Sequence, residues 1–558
     1  MKKKYVRWTL WTIASPFILF IILCILIYLP PIQNFLVDKA AVYASEATGM
    51  NISVGRISLS FPLNLVVTDV DAASPHNDTL LSVRRLQVNV QLLPLLKKQV
   101  EVDGISLQGA TVNSNDLIHG MKLNGTLGEL FISSHGVALD PETAIVNKVL
   151  LKDTDLSLCL NDTAAADTAA SDTTYWKIIL QDIDLQNVSF ALDMPLDSLS
   201  LAASLDNAIL RDGLIDLHKS AYSLQTFRIE NGRVRYDNGK PLAADSLSSG
   251  LDPSHIALTD IGVKLDSLYY GGRNMKAIIS QFVLKERSGV EIVSATGRMV
   301  SNDKVLRVPS LKLETRDSYL ELNAAMDWNA LDFKDEGLVS ARLMADIGKP
   351  DVVRFMGSMD EKFIRQYPSE PLRIRTGIDG DLNKLKLTTL TAELPGALGL
   401  FARGELTHLT DSLLRGGDIT LEAETKDLKF VSTLAEGIEI PYGTRLEGKF
   451  TMAGTKMGTD LLLMQPEAQA VVAADTIPIT VYNDSISVAD DFKMERAARL
   501  FAKYDLSRDR YEADLAVNHF DLHQFMPADS LYTLSTRLKV EGEGFDFFSP
   551  RTYFNAEG

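Results

Sequence analysis

The sequence predicts a mainly β fold, elongated and repetitive, with one N-terminal transmembrane helix and a few short capping helices. Three observations carry that prediction. A nine-residue phrase recurs four times in the first half, apolar and polar side chains alternate with a period of two in the second half, and a 20-residue uncharged run follows a basic tip. At 558 residues the chain exceeds what one hydrophobic core encloses, so several domains or a repeated unit are required. Its composition, 46% hydrophobic and 23% charged, is that of a folding chain rather than a disordered one.

Residues 1–9 form a basic tip, with Lys2, Lys3, Lys4 and Arg7 as the topology signal. Residues 10–29, "LWTIASPFILFIILCILIYL", carry no charge. A helix of about 20 residues, rising roughly 1.5 Å per residue, matches the roughly 30 Å hydrocarbon core of a bilayer. The positive-inside rule holds the tip in the cytosol and delivers everything after Pro30 to the far side. The rival is a cleaved signal peptide. Its apolar region is usually only about 7–15 residues long, and the one small-residue segment here that would serve for cleavage is "ASEA" at 44–47. Pro30 and Pro31 end the span, and residues 30–49 place Ile32, Phe35, Leu36, Lys39, Ala40 and Tyr43 at helical spacing before Gly49. This amphipathic helix either lies on lipid or caps the first β layer.

Residues 50–240 hold the repeated phrase: "ISLQGATVN" at 105, "VLLKDTDLS" at 149, "IDLQNVSFA" at 183 and "FRIENGRVR" at 227. Apolar positions coincide in all four, and the fifth position is Gly109, Asp153, Asn187 or Asn231, residue types that tolerate bulges and positive φ. Each phrase therefore reads as two strand pieces meeting at a bend. The starts lie 44, 34 and 44 residues apart, inside the roughly 20–50 range of repeat arrays. Residues 161–174, "NDTAAADTAASDTT", are small and polar without periodicity and read as a mobile loop.

Residues 241–558 continue the β repeats. In "YLELNAAMDW" Leu320, Leu322, Ala324, Met326 and Trp328 alternate with Glu321, Asn323, Ala325 and Asp327, which sets one apolar face against one wet face. Leu311 and Leu313 stand on the preceding segment with the same spacing. Corner glycines recur in "ATGRM" (Gly297), "ARGEL" (Gly404) and "LEGKF" (Gly448). A second phrase, Asp-apolar-x-x-Phe-Met, spans Asp351–Met356 and Asp521–Met526, with a shortened copy from Asp427; Gly448 and Gly542 follow two of these copies by 21 residues each, which points to duplication. Beyond the first copy, Val352, Phe355, Met356, Met359 and Phe363 share one face of an expected capping helix.

The net charge of -17 argues against nucleic-acid binding, which needs clustered Lys and Arg. Two cysteines, Cys24 in the apolar run and Cys159, supply no disulfide framework. His519 and His523 sit four apart without the Glu of a metalloprotease helix or a third ligand. "GTRLEGKF" (Gly443–Phe450) begins like a phosphate loop but has Phe450 where a hydroxyl must hold Mg²⁺. There is no Gly-x-Ser-x-Gly elbow, and carboxylate pairs such as Asp182 and Asp184 suit any acidic surface. The sequence thus predicts neither an enzyme nor a metal or cofactor site.

The order of parts resembles the AsmA-like and TamB-like proteins of the diderm bacterial envelope. A basic tip and single span lead into "ATGMNISVGRISLSFPLNLVVTDV" (Ala47–Val70) and "SVRRLQVNVQLLPLLKKQVEVDGISLQGATV" (Ser82–Val112), which look like the family's opening β unit. The resemblance covers about a fifth of the chain in this opening and does not decide between the two subgroups. It implies a sheet curled into an open, taco-like groove lined by apolar side chains, for which Leu311, Leu313, Leu320, Leu322, Met326 and Trp328 are the candidates here. It also implies an inner-membrane protein, cytoplasmic at its N-terminus and periplasmic in bulk, that guides phospholipid between inner and outer membranes. The alternative is a scaffold for outer-membrane protein assembly with a barrel partner. Alternation alone fits an open groove and a closed sandwich equally. The final "FNAEG" (Phe554–Gly558) echoes "FARGEL" (Phe401–Leu406) and stops at the glycine, so a longer natural protein is expected.

Overall fold

The computed structural model describes residues 39, 41–42, 45, 50–60, 64–74, 79–91, 102–114, 120–138, 142–161, 175–239, 250–333, 337–356, 361–434, 437–465, 496–528, 530, 532–545 and 552–558. The basic tip, the expected span at 10–29 and the expected loop beyond Asn161 lie outside the described residues. Among those residues no helix is long and apolar enough to cross a membrane. Of the expected helix at 30–49, Lys39, Ala41, Val42 and Ser45 are described and helical. The Ser45 hydroxyl accepts the Ile52 N–H at 3.0 Å, tying that helix to the first strand.

The described protein is mainly β, with 26 strands and a few short helices, and it divides into two compact units. The first comprises Met1–Leu247 and Asp252–Glu291. Its strands are β1 (Asn51–Ser60), β2 (Asn64–Ala73), β3 (Thr79–Val90), β4 (Val102–Asn113), β5 (Met121–Ala138), β6 (Thr143–Leu160), β7 (Lys177–Met194), β8 (Leu199–Asp216), β9 (Ala221–Leu224), β10 (Thr226–Asn238), β11 (His255–Gly271) and β12 (Asn274–Glu286). Neighbours from β1 to β6 pair antiparallel, β6 and β7 pair parallel, and β7 returns antiparallel to β8. β9 and β10 lie end to end between β8 and β11 as one interrupted strand. The ladder runs on through β11 and β12, which is why the unit extends to Glu291 rather than ending near residue 240.

The repeated phrase has the geometry its composition demands. Its fifth residue is left-handed in all four copies: Gly109 (φ +61°), Asp153 (+50°), Asn187 (+50°) and Asn231 (+52°). The left-handed residue shifts the alternation by one, so apolar residues pair across the sheet on both sides of it. Leu107 pairs with Leu130 and Ala110 with Leu127, and next along the sheet Leu151 pairs with Leu185 and Leu156 with Phe190. The bends of adjacent strands meet: Asn187 donates to the Asp153 carboxylate at 2.9 Å, and Asn231 donates to Asp206. They form one transverse crease.

The second unit comprises Ser248–Leu251 and Ile292–Gly558. Its strands are β13 (Glu291–Ser301), β14 (Val305–Thr315), β15 (Tyr319–Asp327), β16 (Leu338–Ile347), β17 (Leu372–Asp381), β18 (Lys384–Leu394), β19 (Leu398–Thr407), β20 (Gly416–Thr425), β21 (Arg445–Ala453), β22 (Lys456–Met464), β23 (Ala497–Asp505), β24 (Arg510–Asp521), β25 (Thr533–Glu543) and β26 (Tyr553–Glu557). Each pairs antiparallel with the next, forming an uninterrupted meander. Three short helices decorate it: α1 (Trp328–Leu331), α2 (Lys349–Phe355) and α3 (Glu361–Gln366).

The Asp-apolar-x-x-Phe phrase marks a structural period. Its copies lie at the ends of β16, β20 and β24, four strands apart, and each turns into a helix or 3-10 turn. The expected single helical face past Asp351 is instead two helices. Val352 and Phe363 pack inward, whereas Phe355 and Met356 are exposed. α2 is anchored by Asp351, 1% exposed, which accepts hydrogen bonds from Thr315, from Ser318 at 2.6 Å and from Arg354 at 3.0 Å.

Candidate functional site

In the second unit one register position crosses twelve successive strands: Leu311, Leu322, Leu343, Thr376, Leu390, Ala402, Leu421, Gly448, Leu461, Leu500, Leu515 and Leu538. Strands spaced about 4.8 Å apart make this a stripe roughly 50 Å long. The neighbouring position repeats the pattern, beginning with Leu313, Leu320, Ala345 and Ile374. Four of the sequence candidates, Leu311, Leu313, Leu320 and Leu322, thus lie in two adjacent rows. Met326 pairs with Leu306 and Val339 nearer one strand end. Trp328 falls just past β15 as the first residue of α1, its indole N–H donating to the Asn302 carbonyl at 2.8 Å.

A second protein layer would bury such leucines completely. They are half-buried instead; none belongs to the buried core, and Leu538 is 37% exposed. The buried clusters of this unit occupy the strand ends. At one end Phe363, Tyr367, Leu394, Ala397, Leu428 and Phe430 pack together, with the Tyr367 and Phe430 rings 5.1 Å apart. At the other, Ala330 of α1 packs on Val339 and Leu382, with Met326 against them. Between β15 and β20 helices therefore cover both margins of the apolar face, and the middle rows lie between them.

The first unit has equivalent rows, one of which runs Ile57, Val67, Leu86, Leu107, Leu130, Leu151, Leu185, Ala208, Ile229, Val263 and Phe282. Only Ala208 of that row is buried. The bend residue had further, unrecognised copies in "LVVTDVDAA" (Leu65–Ala73) and "IALTDIGVK" (Ile256–Lys264), where Asp69 (φ +54°) and Asp260 (+53°) are left-handed. The signal was Asp at the fifth position.

The corner glycines Gly297, Gly404 and Gly448 lie inside β13, β19 and β21. A Cβ on Gly297 would sit 2.9 Å from Leu311 Cδ1, and one on Gly448 would sit 2.9 Å from Leu461 Cδ2. Both make room for a leucine of the adjacent strand. The opposite face is laced by cross-strand ion pairs, including Arg375 with Asp346 (2.6 Å), Arg499 with Asp460 (2.6 Å) and Arg537 with Asp514 (2.7 Å). The hydrogen bond from Arg499 holds the Asp460 carboxyl below its usual range, against a smaller upward push from burial.

His519 ends up at the tail of β24 and His523 in a 3-10 turn stacked on Tyr532, so no helical face joins them. "GTRLEGKF" runs into β21, without the helix a phosphate loop requires. Cys159 lies in β6 beside Asn161. Among the described residues no group of three His, Cys, Asp or Glu side chains is placed to hold a metal ion. No protein-family model matches this chain, and no curated protein matches its sequence.

Proposed function

We propose that this chain is an inner-membrane-anchored periplasmic protein that guides phospholipid between inner and outer membranes, its sheet curled into an open groove as in AsmA-like and TamB-like proteins. The observation that carries this reading is the half-buried apolar row, at least eleven strands long in each unit. Small residues support it too: a Cβ on Gly297 or Gly448 would crowd a leucine of the next strand, and Ala402 is buried, as an apolar face that curls inward would require. Each acyl methylene taken from water onto such a face is worth about 0.8 kcal/mol, so a few strands of contact offset much of the cost of leaving a bilayer. The ion-paired face stays in water.

The test is lipid capture. Photo-crosslinking residues at Leu322, Leu390 and Leu461 should trap phospholipid in cells, while those at Lys312 and Glu447, on the opposite face, should not. Purified full-length protein lacking bound phospholipid, with equal labelling of both faces, would refute the reading.

A further inference from the structure

One edge of the first unit combines aromatic rings with positive charge. Four strand ends meet there: the starts of β7 and β9 and the ends of β8 and β11, joined by the Lys177–Asp216, Asp216–Ala221 and Tyr222–Tyr270 pairs. Tyr175 (53% exposed), Tyr222, Tyr269 and Tyr270 are all solvent-facing, and Trp176 is half-buried among them. Tyr222 and Tyr270 stack with centroids 6.2 Å apart, and Tyr175 meets His218 edge-on at 5.2 Å. Exposed aromatics in this number are unusual on a surface that contacts only water.

Among the described residues, the charge of the edge opposes that of the chain. Lys177, Lys219, Arg273 and Lys276 are exposed there, in a protein of net charge -17. The described carboxylates beside them are engaged by backbone: Glu142 accepts the Tyr175 N–H at 2.8 Å, and Asp216, itself buried, accepts the Lys219 N–H at 3.0 Å. An apolar row (Ile178, Ile215, Tyr222, Tyr270, Met275) ends on the same edge.

We propose that this edge docks on an anionic phospholipid surface. Amphipathic tyrosine and tryptophan rings seat at the headgroup level of a bilayer, and lysines beside them are drawn to anionic lipid. A neutral glycan would use the rings but not the lysines. The proposal does not depend on lipid travelling along the apolar rows, since docking requires only the edge.

Full-length protein held in neutral phosphatidylcholine nanodiscs, which occupy its apolar N-terminal run, is mixed with vesicles containing phosphatidylglycerol and floated on a density gradient. Wild type should float with anionic vesicles and not with pure phosphatidylcholine vesicles. Each lysine near such a surface contributes about fivefold in affinity, so K177A/K219A/K276A should bind on the order of a hundredfold more weakly. Y175S/Y222S/Y270S should weaken binding while keeping its salt dependence, with circular dichroism confirming that both variants fold. Equal flotation with neutral vesicles, unchanged binding by the folded lysine variant, or retention on purified glycan strands instead of vesicles would overturn the proposal.

Discussion

Replacing Leu421 by Asp puts a charge in the middle of the long apolar row of the second unit. Its row neighbours are Ala402 and Gly448, so no large side chain is directly alongside to cover the carboxylate. Aspartate is also too short to reach water past the strand margin, as a lysine would. A lipid passing this point must leave the methylenes over one strand without an apolar partner. Strands are spaced about 4.8 Å apart, so two or three methylenes at about 0.8 kcal/mol each raise the local barrier by ~2 kcal/mol. That is roughly a thirtyfold slowing of transfer. The assay measures phospholipid movement between donor and acceptor membranes, with crosslinkers at Leu390 and Leu500 reporting occupancy on either side of the block. Leu421→Met should behave as wild type, and so should Glu422→Lys, which alters the opposite face of the same strand. A folded Leu421→Asp protein that transfers lipid at the wild-type rate would refute the row as the path.

Three further outcomes follow from the packing. Asp351→Ala leaves two hydroxyls without their buried acceptor and Arg354 with only Asp317, and urea denaturation should show a loss of about 2 kcal/mol in the second unit; Asp351→Asn should lose less. Asn187→Ala forces an ordinary residue into the left-handed region and should cost ~1 kcal/mol by thermal melting, whereas Asn187→Gly should be nearly neutral. Because Arg499 depresses the folded pKa of Asp460, their pairing stabilises the fold above the unfolded carboxylate range, near pH 4, and is lost as pH falls through the folded value. Asp460→Asn should therefore flatten the acid limb of the stability profile slightly, the pair being partly exposed.

What was legible in the sequence was local. Alternation in "YLELNAAMDW" identified β15 and its apolar side because a strand puts every second residue on one face. The phrase identified its own bend because few residue types accept positive φ. Legibility failed where the determinant was tertiary. Phe355 and Phe525 hold the same place in the capping phrase, yet the first is 57% exposed and the second is half-buried, stacked on Phe520. Trp328 continues the two-residue alternation in sequence but begins a helical turn, because its indole and backbone N–H groups are taken by Asn302 and Lys304. The boundary near Glu291 was invisible because β11 and β12 carry the same alternation as the strands on both sides.

The two kinds of repeat answer one geometric demand at two strand lengths. Strands in the first unit reach 18 residues, about 60 Å when extended, and a single twisting run of that length would carry its apolar residues around the strand axis. A left-handed residue at a fixed level re-phases the alternation midway and keeps apolar residues paired on both sides of the crease. Strands of the second unit are 5 to 12 residues long and need no crease; there the helical turns seal the strand ends every fourth strand. If the apolar rows existed only to pack against protein, the best sequence would fill them with large residues that become fully buried. The buried residues of the two rows are instead small, Ala208, Ala402 and Gly448, while the leucines between them keep part of their surface available to something other than the chain itself.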